Sequence, residues 1–221
     1  MKKLLVLGIL VLFVSAVFAL ESDPSDVVGY VKYGCVTTAG TNLNSIAIPM
    51  DAGYVMASDL GAAYPSIDVV YAWNSGTQAW DAATNIGMMW LGDFALQDGY
   101  SYMVNATAAT DVYLAGGMIV QPNYSLVTTA GTNLNYLMVP MDRSDLTMAS
   151  HLGIDIGVCD VVYAWNSGTQ AWDAATDIGM MWLGDFAIAI GDPLMINVTA
   201  DTTWPVIARD NGSKRPINVR Q

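Results

Sequence analysis

The stretch that decides the fold is residues 68–84, DVVYAWNSGTQAWDAAT, which recurs without change at residues 160–176. The segments 36–44 (VTTAGTNLN) and 87–95 (GMMWLGDFA) also recur, at 127–135 and 179–187. The offset is 91 residues early and 92 later. Repeats of this kind define the units of a fold. We therefore divide the chain into repeat one, residues 27–118, and repeat two, residues 119–208.

Within each repeat the pattern is that of strands. Alternating apolar residues in 30–36, 45–49 and 99–105 are typical of β-strands, and the Gly-containing loop after Trp73 indicates a hairpin. A four-residue loop predicts that Trp73 pairs with Gln78, that Tyr71 faces Trp80, and that Trp73 and Trp80 lie on opposite faces. Met56, Leu60 and Ala63 have helical spacing, repeated at 148 and 152. We predict an all-β chain of two tandem homologous small antiparallel β-domains, sandwich or barrel-like, each with one short helix.

The N-terminus has the pattern of a secretory signal peptide. Lys2 and Lys3 precede an uncharged apolar run over 4–18, and Val17-Phe18-Ala19 fits a cleavage site after Ala19. The run is short for a membrane span, although an uncleaved anchor is the alternative. We predict a signal peptide over 1–19, a linker over 20–26 and a bacterial protein that is secreted, extracellular or on the cell surface, with no stable membrane span after cleavage.

The charge balance excludes one class of partner. The chain carries 20 acidic and 8 basic residues, a net charge of −12, and only 13% of its residues are charged. An acidic surface repels phosphate backbones, so we expect no nucleic-acid binding. Residues 209–221 hold Arg209, Lys214, Arg215 and Arg220, which predicts a basic, disordered tail. That tail is either a loose end or a segment that promotes self-association on an acidic surface.

The order of short motifs resembles a domain of bacterial secreted and surface proteins, of the form GYV…NLISLPL…VYxWD…QxW…FxLxPGxGYWV. Matching stretches of repeat one begin at Gly29, Asn42, Val70, Gln78 and Phe94. Repeat two matches through 133–141, 162–166, 170–172 and 186–198. The family's proline is Asp98 here and Ile190 in repeat two, and the aromatic after the glycine is Tyr100 in one copy and Asp192 in the other. The resemblance implies a location on or outside the cell, often as an accessory module, and no general activity.

The chain lacks the usual catalytic motifs. It contains no GxSxG, HExxH, CxxC or phosphate-binding Gly-Lys loop. His151, the one histidine, corresponds to Asp59 and is not part of a duplicated site. We therefore expect no enzyme and no catalytic residue, and two kinds of function remain. One is a non-catalytic structural or adhesion module; the other is a bivalent glycan- or polymer-binding module.

The duplicated tryptophans are the candidate ligand-binding residues. Flat aromatic faces beside Asp and Asn suit a sugar, whereas the other interpretation is that the rings form the core of a small β-domain. The hairpin loops 74–77 and 166–169 are identical. This identity indicates either a recent duplication or a single partner that binds both loops. The six candidates are Trp73, Trp80, Trp90, Trp165, Trp172 and Trp182.

The duplicated acids and the two cysteines are candidates for two further sites. Four duplicated acids, Asp81, Asp93, Asp173 and Asp185, are candidate calcium ligands, although no contiguous calcium-loop spacing is present and solvated charge is the alternative; no other cofactor is expected. Cys35 and Cys159 are unduplicated. In a secreted chain an even cysteine count favours a disulfide between the repeats, and two separately buried thiols are the alternative.

Overall fold

The computed structural model describes residues 28–38, 42–129, 131 and 133–205. The predicted signal peptide, linker and basic tail lie outside the described residues. Repeat one contains β1 (Val28–Cys35), β2 (Leu43–Ala47), α1 (Ala57–Ala63), β3 (Ile67–Asn74), β4 (Ala79–Asn85), β5 (Trp90–Leu91), β6 (Ser101–Ala106) and β7 (Thr110–Gly117). Repeat two contains β8 (Tyr124–Leu126), β9 (Leu134–Met138), α2 (Ala149–Ile156), β10 (Cys159–Asn166), β11 (Ala171–Asp177), β12 (Trp182–Leu183), β13 (Pro193–Val198) and β14 (Thr202–Trp204).

The two repeats have one topology, and the all-β prediction with a short helix in each domain is confirmed. Each repeat forms a five-stranded antiparallel sheet, in the order β2-β6-β3-β4-β5 and β9-β13-β10-β11-β12. A two-stranded sheet accompanies each, β1-β7 in repeat one and β8-β14 in repeat two. In repeat one, apolar residues from both sheets and from α1 form a single core.

Both faces of each five-stranded sheet are used, because successive strand residues point to opposite sides. Val70 and Val104 are fully buried in the core of repeat one. Their neighbours Tyr71 and Met103 lie on the other face, in a cluster that contains residues of both repeats. The second faces of the two large sheets therefore meet at the junction of the repeats.

The hairpin register differs from the sequence expectation. Trp73 pairs with Trp80 rather than with Gln78, and Tyr71 pairs with Ala82. Asn74 and Ala79 close the hairpin, and Gln78 takes a left-handed backbone with φ +53°, which the loop-length argument did not anticipate. Trp73 and Trp80 therefore share one face, with ring centroids 5.1 Å apart, and the prediction that they point to opposite faces is wrong.

Candidate functional site at the junction of the repeats

The two hairpin loops reach across the junction in the same way. The Gln78 side chain of repeat one exchanges two hydrogen bonds with the backbone of Leu134, at 2.9 and 2.8 Å. Gln170, its counterpart in repeat two, exchanges two with the backbone of Leu43, both at 2.9 Å. Each glutamine amide also donates to a carbonyl of its own loop, that of Ser75 or Ser167, at 2.6 Å. Each side chain therefore links its own hairpin loop to the edge strand of the other repeat.

Two tryptophans reinforce the same contacts. The Trp73 indole Nε1–H donates to the Leu134 carbonyl at 2.8 Å, and the Trp165 indole donates to the Leu43 carbonyl at 2.8 Å. Each β-strand edge thus binds a glutamine and a tryptophan from the opposite repeat. The two repeats are therefore related by a local two-fold axis. Where a residue of repeat one contacts a residue of repeat two, the counterparts of both residues make the same contact in the opposite direction.

A third reciprocal pair joins the β1 and β8 strands to the opposite repeat. The Tyr33 hydroxyl donates to the Gly191 carbonyl at 2.8 Å, and the Tyr124 hydroxyl donates to the Gly99 carbonyl at 2.6 Å. Tyr33 is half-buried, and burial is the main cause of its raised pKa. Three kinds of side chain therefore bind backbone groups across the junction, once in each direction.

At the centre of the junction, unlike residues of the two repeats face each other. Tyr136 of repeat two is buried, and its hydroxyl hydrogen-bonds to that of Ser45 in repeat one. The Tyr136 ring contacts Trp80 and Trp172 edge-on, with centroids 5.5 and 6.4 Å apart. Burial raises the pKa of Tyr136. The duplicated Trp rings thus pack around one central tyrosine.

Two matching apolar clefts flank this centre, with volumes of about 230 and 270 Å³. The first is lined by Leu43, Tyr71, Trp80, Met103, Trp165 and Trp172, and the second by Trp73, Trp80, Leu134, Tyr163, Trp172 and Met195. Burial, and then a nearby aspartate, raises the pKa of Tyr71 and of Tyr163. Four of the six candidate tryptophans therefore line clefts that both repeats build together.

The other two tryptophans have a packing role. Trp90 and Trp182 lie over the helix glycines Gly61 and Gly153. A methyl group at Gly61 would stand 1.9 Å from Trp90 Cζ2, and one at Gly153 would stand 2.1 Å from Trp182 Cη2. Each ring can approach its helix only because the helix lacks a side chain there, so these rings attach α1 and α2 to the ends of the sheets.

The four candidate calcium ligands make two kinds of hydrogen bond, to a helix serine or to a loop asparagine. Asp93 accepts hydrogen bonds from the Ser58 amide and hydroxyl at 3.1 and 2.6 Å, and Asp185 accepts the equivalent pair from Ser150. Asp81 accepts from the Asn74 side chain, and Asp173 from that of Asn166. Within the described ranges, no three His, Cys, Asp or Glu side chains converge on a common point.

The cysteines lie in separate cores. Cys35 is buried in the core of repeat one and Cys159 in that of repeat two, and both are free thiols. Burial raises the pKa of Cys35 to about 11 and that of Cys159 to about 12, so both stay protonated at neutral pH. The disulfide predicted between them is not formed in the structure, because each cysteine faces the interior of its own domain.

Sequence reasoning missed two features. The strand pattern predicts Gln78 as an ordinary strand residue, although a glutamine repeated beside a loop tip is a signal for a shared contact. Sequence reasoning also passed over the repeated turn of the GMMWLG segment, where Met88 is 99% exposed and Met180 is 93% exposed. The sequence signal for this exposed turn was that its apolar residues are repeated exactly.

Comparison with protein-family models, curated proteins and solved structures finds no match to this chain. Among the residues that the structure describes, no helix has the length and apolar character needed to cross a membrane.

Proposed function

We propose that the protein is a non-catalytic structural module, secreted or on the cell surface, whose two repeats act as one rigid unit. The observation that carries this proposal is the reciprocal junction. Gln78 and Trp73 of repeat one bind the edge strand of repeat two, and their counterparts return the contact. The side chains that are identical in the two repeats therefore bind the repeats to each other.

The competing function, bivalent binding of a glycan or polymer, has one supporting observation. Trp80 and Trp172 are only half-buried and line both clefts. Against it, Trp73 and Trp80 cross at 68° and Trp165 and Trp172 at 70°, edge to face. A sugar stacks on an open ring face and needs several directed polar groups around it. These clefts offer mainly aromatic edges and aliphatic carbon.

The proposed location rests on the N-terminal signal pattern and on the resemblance to bacterial surface domains. Mass spectrometry of the exported protein tests it. A mature N-terminus at Leu20 in the extracellular or surface fraction supports the proposal, and retention of the intact chain inside the cell contradicts it.

A polysaccharide pull-down separates the two functions. The structural role predicts that the full chain is not retained on insoluble glucan, chitin or peptidoglycan. Retention that is lost in a Trp80→Ala, Trp172→Ala variant would favour the glycan-binding role. The Met88→Ser, Met180→Ser variant is the matched control, because it also changes a duplicated pair of large side chains but lies away from the clefts.

A further inference from the structure

One cavity at the junction breaks the symmetry of the repeats. It has a volume of about 270 Å³, and repeat one lines it with Tyr33 and Ser45 while repeat two supplies Trp165, Phe186 and Asp192 among others. Both repeats therefore build it, and it is distinct from the two apolar clefts.

Two residue differences converge on this cavity. Ser45 corresponds to Tyr136 in repeat two, and Asp192 corresponds to Tyr100 in repeat one. At the place related by the local two-fold axis, the Tyr100 ring packs edge-on against Tyr124, with centroids 5.5 Å apart. Replacing a tyrosine at both positions leaves room on one side of the junction that aromatic rings occupy on the other.

The cavity also holds an uncompensated charge. Asp192 Oδ2 accepts the Ala189 amide at 2.7 Å, and its other carboxylate oxygen has no hydrogen-bond partner among the described residues. The only lysine and arginine of the described residues are Lys32 and Arg143, which pair with other aspartates. Burial raises the pKa of Asp192, as expected for a carboxylate that water solvates poorly.

We propose that this cavity binds a small organic cation, an alkylammonium or guanidinium group, on the free oxygen of Asp192. An N–H donor of the cation forms a charge-assisted hydrogen bond with the carboxylate. The Trp165 and Phe186 rings offer a favourable surface to the positive charge and to its apolar stem. Three residues of the lining, Tyr33, Ser45 and Trp165, also join the repeats, whereas the Asp192 side chain makes none of those contacts. Substitution of Asp192 therefore tests cation binding separately from the proposed structural role.

Calorimetric titration of the full chain tests the proposal with n-butylammonium, n-butylguanidinium and the neutral n-butanol. The cations should bind with one site per chain and n-butanol should give no binding heat. Asp192→Asn keeps the shape and removes the charge, and it should weaken cation binding about tenfold or more, because a hydrogen bond to a charged group is lost. Circular dichroism checks that the variant is folded.

The matched control is Asp98→Asn. Asp98 is a half-buried acid in the corresponding loop of repeat one and does not line the cavity. Its substitution should leave cation binding unchanged. Equal loss in both variants would mean diffuse attraction to an acidic surface, and equal binding of n-butanol would mean a purely apolar pocket; either result overturns the proposal. Absence of cation binding to the wild-type chain also overturns it.

A third titrant, Nα-acetyl-lysine N-methylamide, distinguishes the source of the cation. Binding at least as tight as that of n-butylammonium supports a basic side chain of a protein as the partner. Weaker binding that still depends on Asp192 supports a free amine.

Discussion

Ser45 and Tyr136 stand at equivalent positions of the two repeats, and their hydroxyl groups hydrogen-bond to each other across the junction. The Tyr136 ring fills the centre between Trp80 and Trp172. Two tyrosines at this point would overcrowd the junction, and two serines would leave it underfilled. The unlike pair therefore suits the contact of repeat one with repeat two better than the contact of either repeat with a copy of itself.

The Ser45–Tyr136 bond predicts strong coupling between two conservative variants. Ser45→Ala removes this hydrogen bond, and Tyr136→Phe removes it together with the longer bond of the Tyr136 hydroxyl to the Tyr102 carbonyl at 3.4 Å. Each variant should lower the free energy of unfolding by about 1 kcal/mol or somewhat more. The double variant should lose about as much as Tyr136→Phe alone, since the bond between the two hydroxyls can be lost only once. Urea denaturation of the four proteins measures the coupling.

Tyr113→Phe is the control for that cycle, because the Tyr113 hydroxyl bonds Asp111 on the exposed surface. It should change the free energy of unfolding by less than about 0.5 kcal/mol. Additive losses from Ser45→Ala and Tyr136→Phe would show that the two hydroxyls do not interact.

The reciprocal glutamines predict equal effects from two distant substitutions. Asparagine tolerates the left-handed backbone of Gln78 and Gln170 but is one methylene shorter. Gln78→Asn and Gln170→Asn should therefore each lower the free energy of unfolding, by about 1–3 kcal/mol, because the backbone N–H of Leu134 or Leu43 loses its acceptor while the carbonyl keeps its tryptophan donor.

Thr77→Ala, an exposed change in the same loop, should have little effect on that free energy in thermal or urea unfolding. Loss of stability in only one of the two asparagine variants would contradict a symmetric junction.

The packing at the helix glycines Gly61 and Gly153 predicts that even a methyl side chain there lowers the free energy of unfolding. Gly61→Ala and Gly153→Ala place a methyl group inside the ring positions of Trp90 and Trp182. Overpacking of this kind costs about 1–3 kcal/mol, despite the better helix propensity of alanine. Gly76→Ala is the control, since its methyl group would stand 3.5 Å from the nearest atom, Asn74 Oδ1. If chemical denaturation gave Gly61→Ala and Gly76→Ala the same free energy of unfolding, that result would contradict the described packing.

The raised pKa of Asp192 predicts a pH-dependent gain in stability on neutralisation. Its pKa in the folded chain lies above the ordinary value of 3.8, so the folded state holds this proton more tightly than the unfolded state does. Asp192 therefore lowers the stability progressively as the pH rises from that ordinary value through the folded pKa. Asp192→Asn should be more stable than the wild type at pH 7, and the difference should shrink toward pH 3. Urea midpoints at both pH values measure it, and a variant less stable at pH 7 would contradict the assignment.

The strands, the short helices and the two-domain division could be predicted from the sequence because they depend on local periodicity and exact repetition. The hairpin register could not, because it depends on the left-handed backbone of Gln78, a conformation that glutamine rarely adopts. A shift of pairing by two residues then moved Trp73 opposite Trp80. A shift of two keeps every side chain on its face, so the prediction of opposite faces failed for another reason: Tyr71 and Trp73 lie two residues apart on one face, and a Trp80 that faces Tyr71 shares that face.

The junction was also beyond sequence reasoning, for a different reason. Gln170 and Leu43 are 127 residues apart, and no local pattern relates a side chain to a distant strand edge. The difference between Ser45 and Tyr136 was visible in the aligned repeats, but its meaning depends on the two positions facing each other. The cavity around Asp192 is the same kind of feature, since the replacement of Tyr100 by an acid was visible and the space it opens was not.

Differential scanning calorimetry of residues 20–221 is the most direct test of the claim that reciprocal contacts join the repeats into one unit. The account predicts one transition whose calorimetric and van't Hoff enthalpies agree for the whole chain. In the Gln78→Asn, Gln170→Asn double variant it predicts a lower transition temperature. Two separate transitions in the wild type, or a wild-type transition unchanged by the double variant, would contradict it.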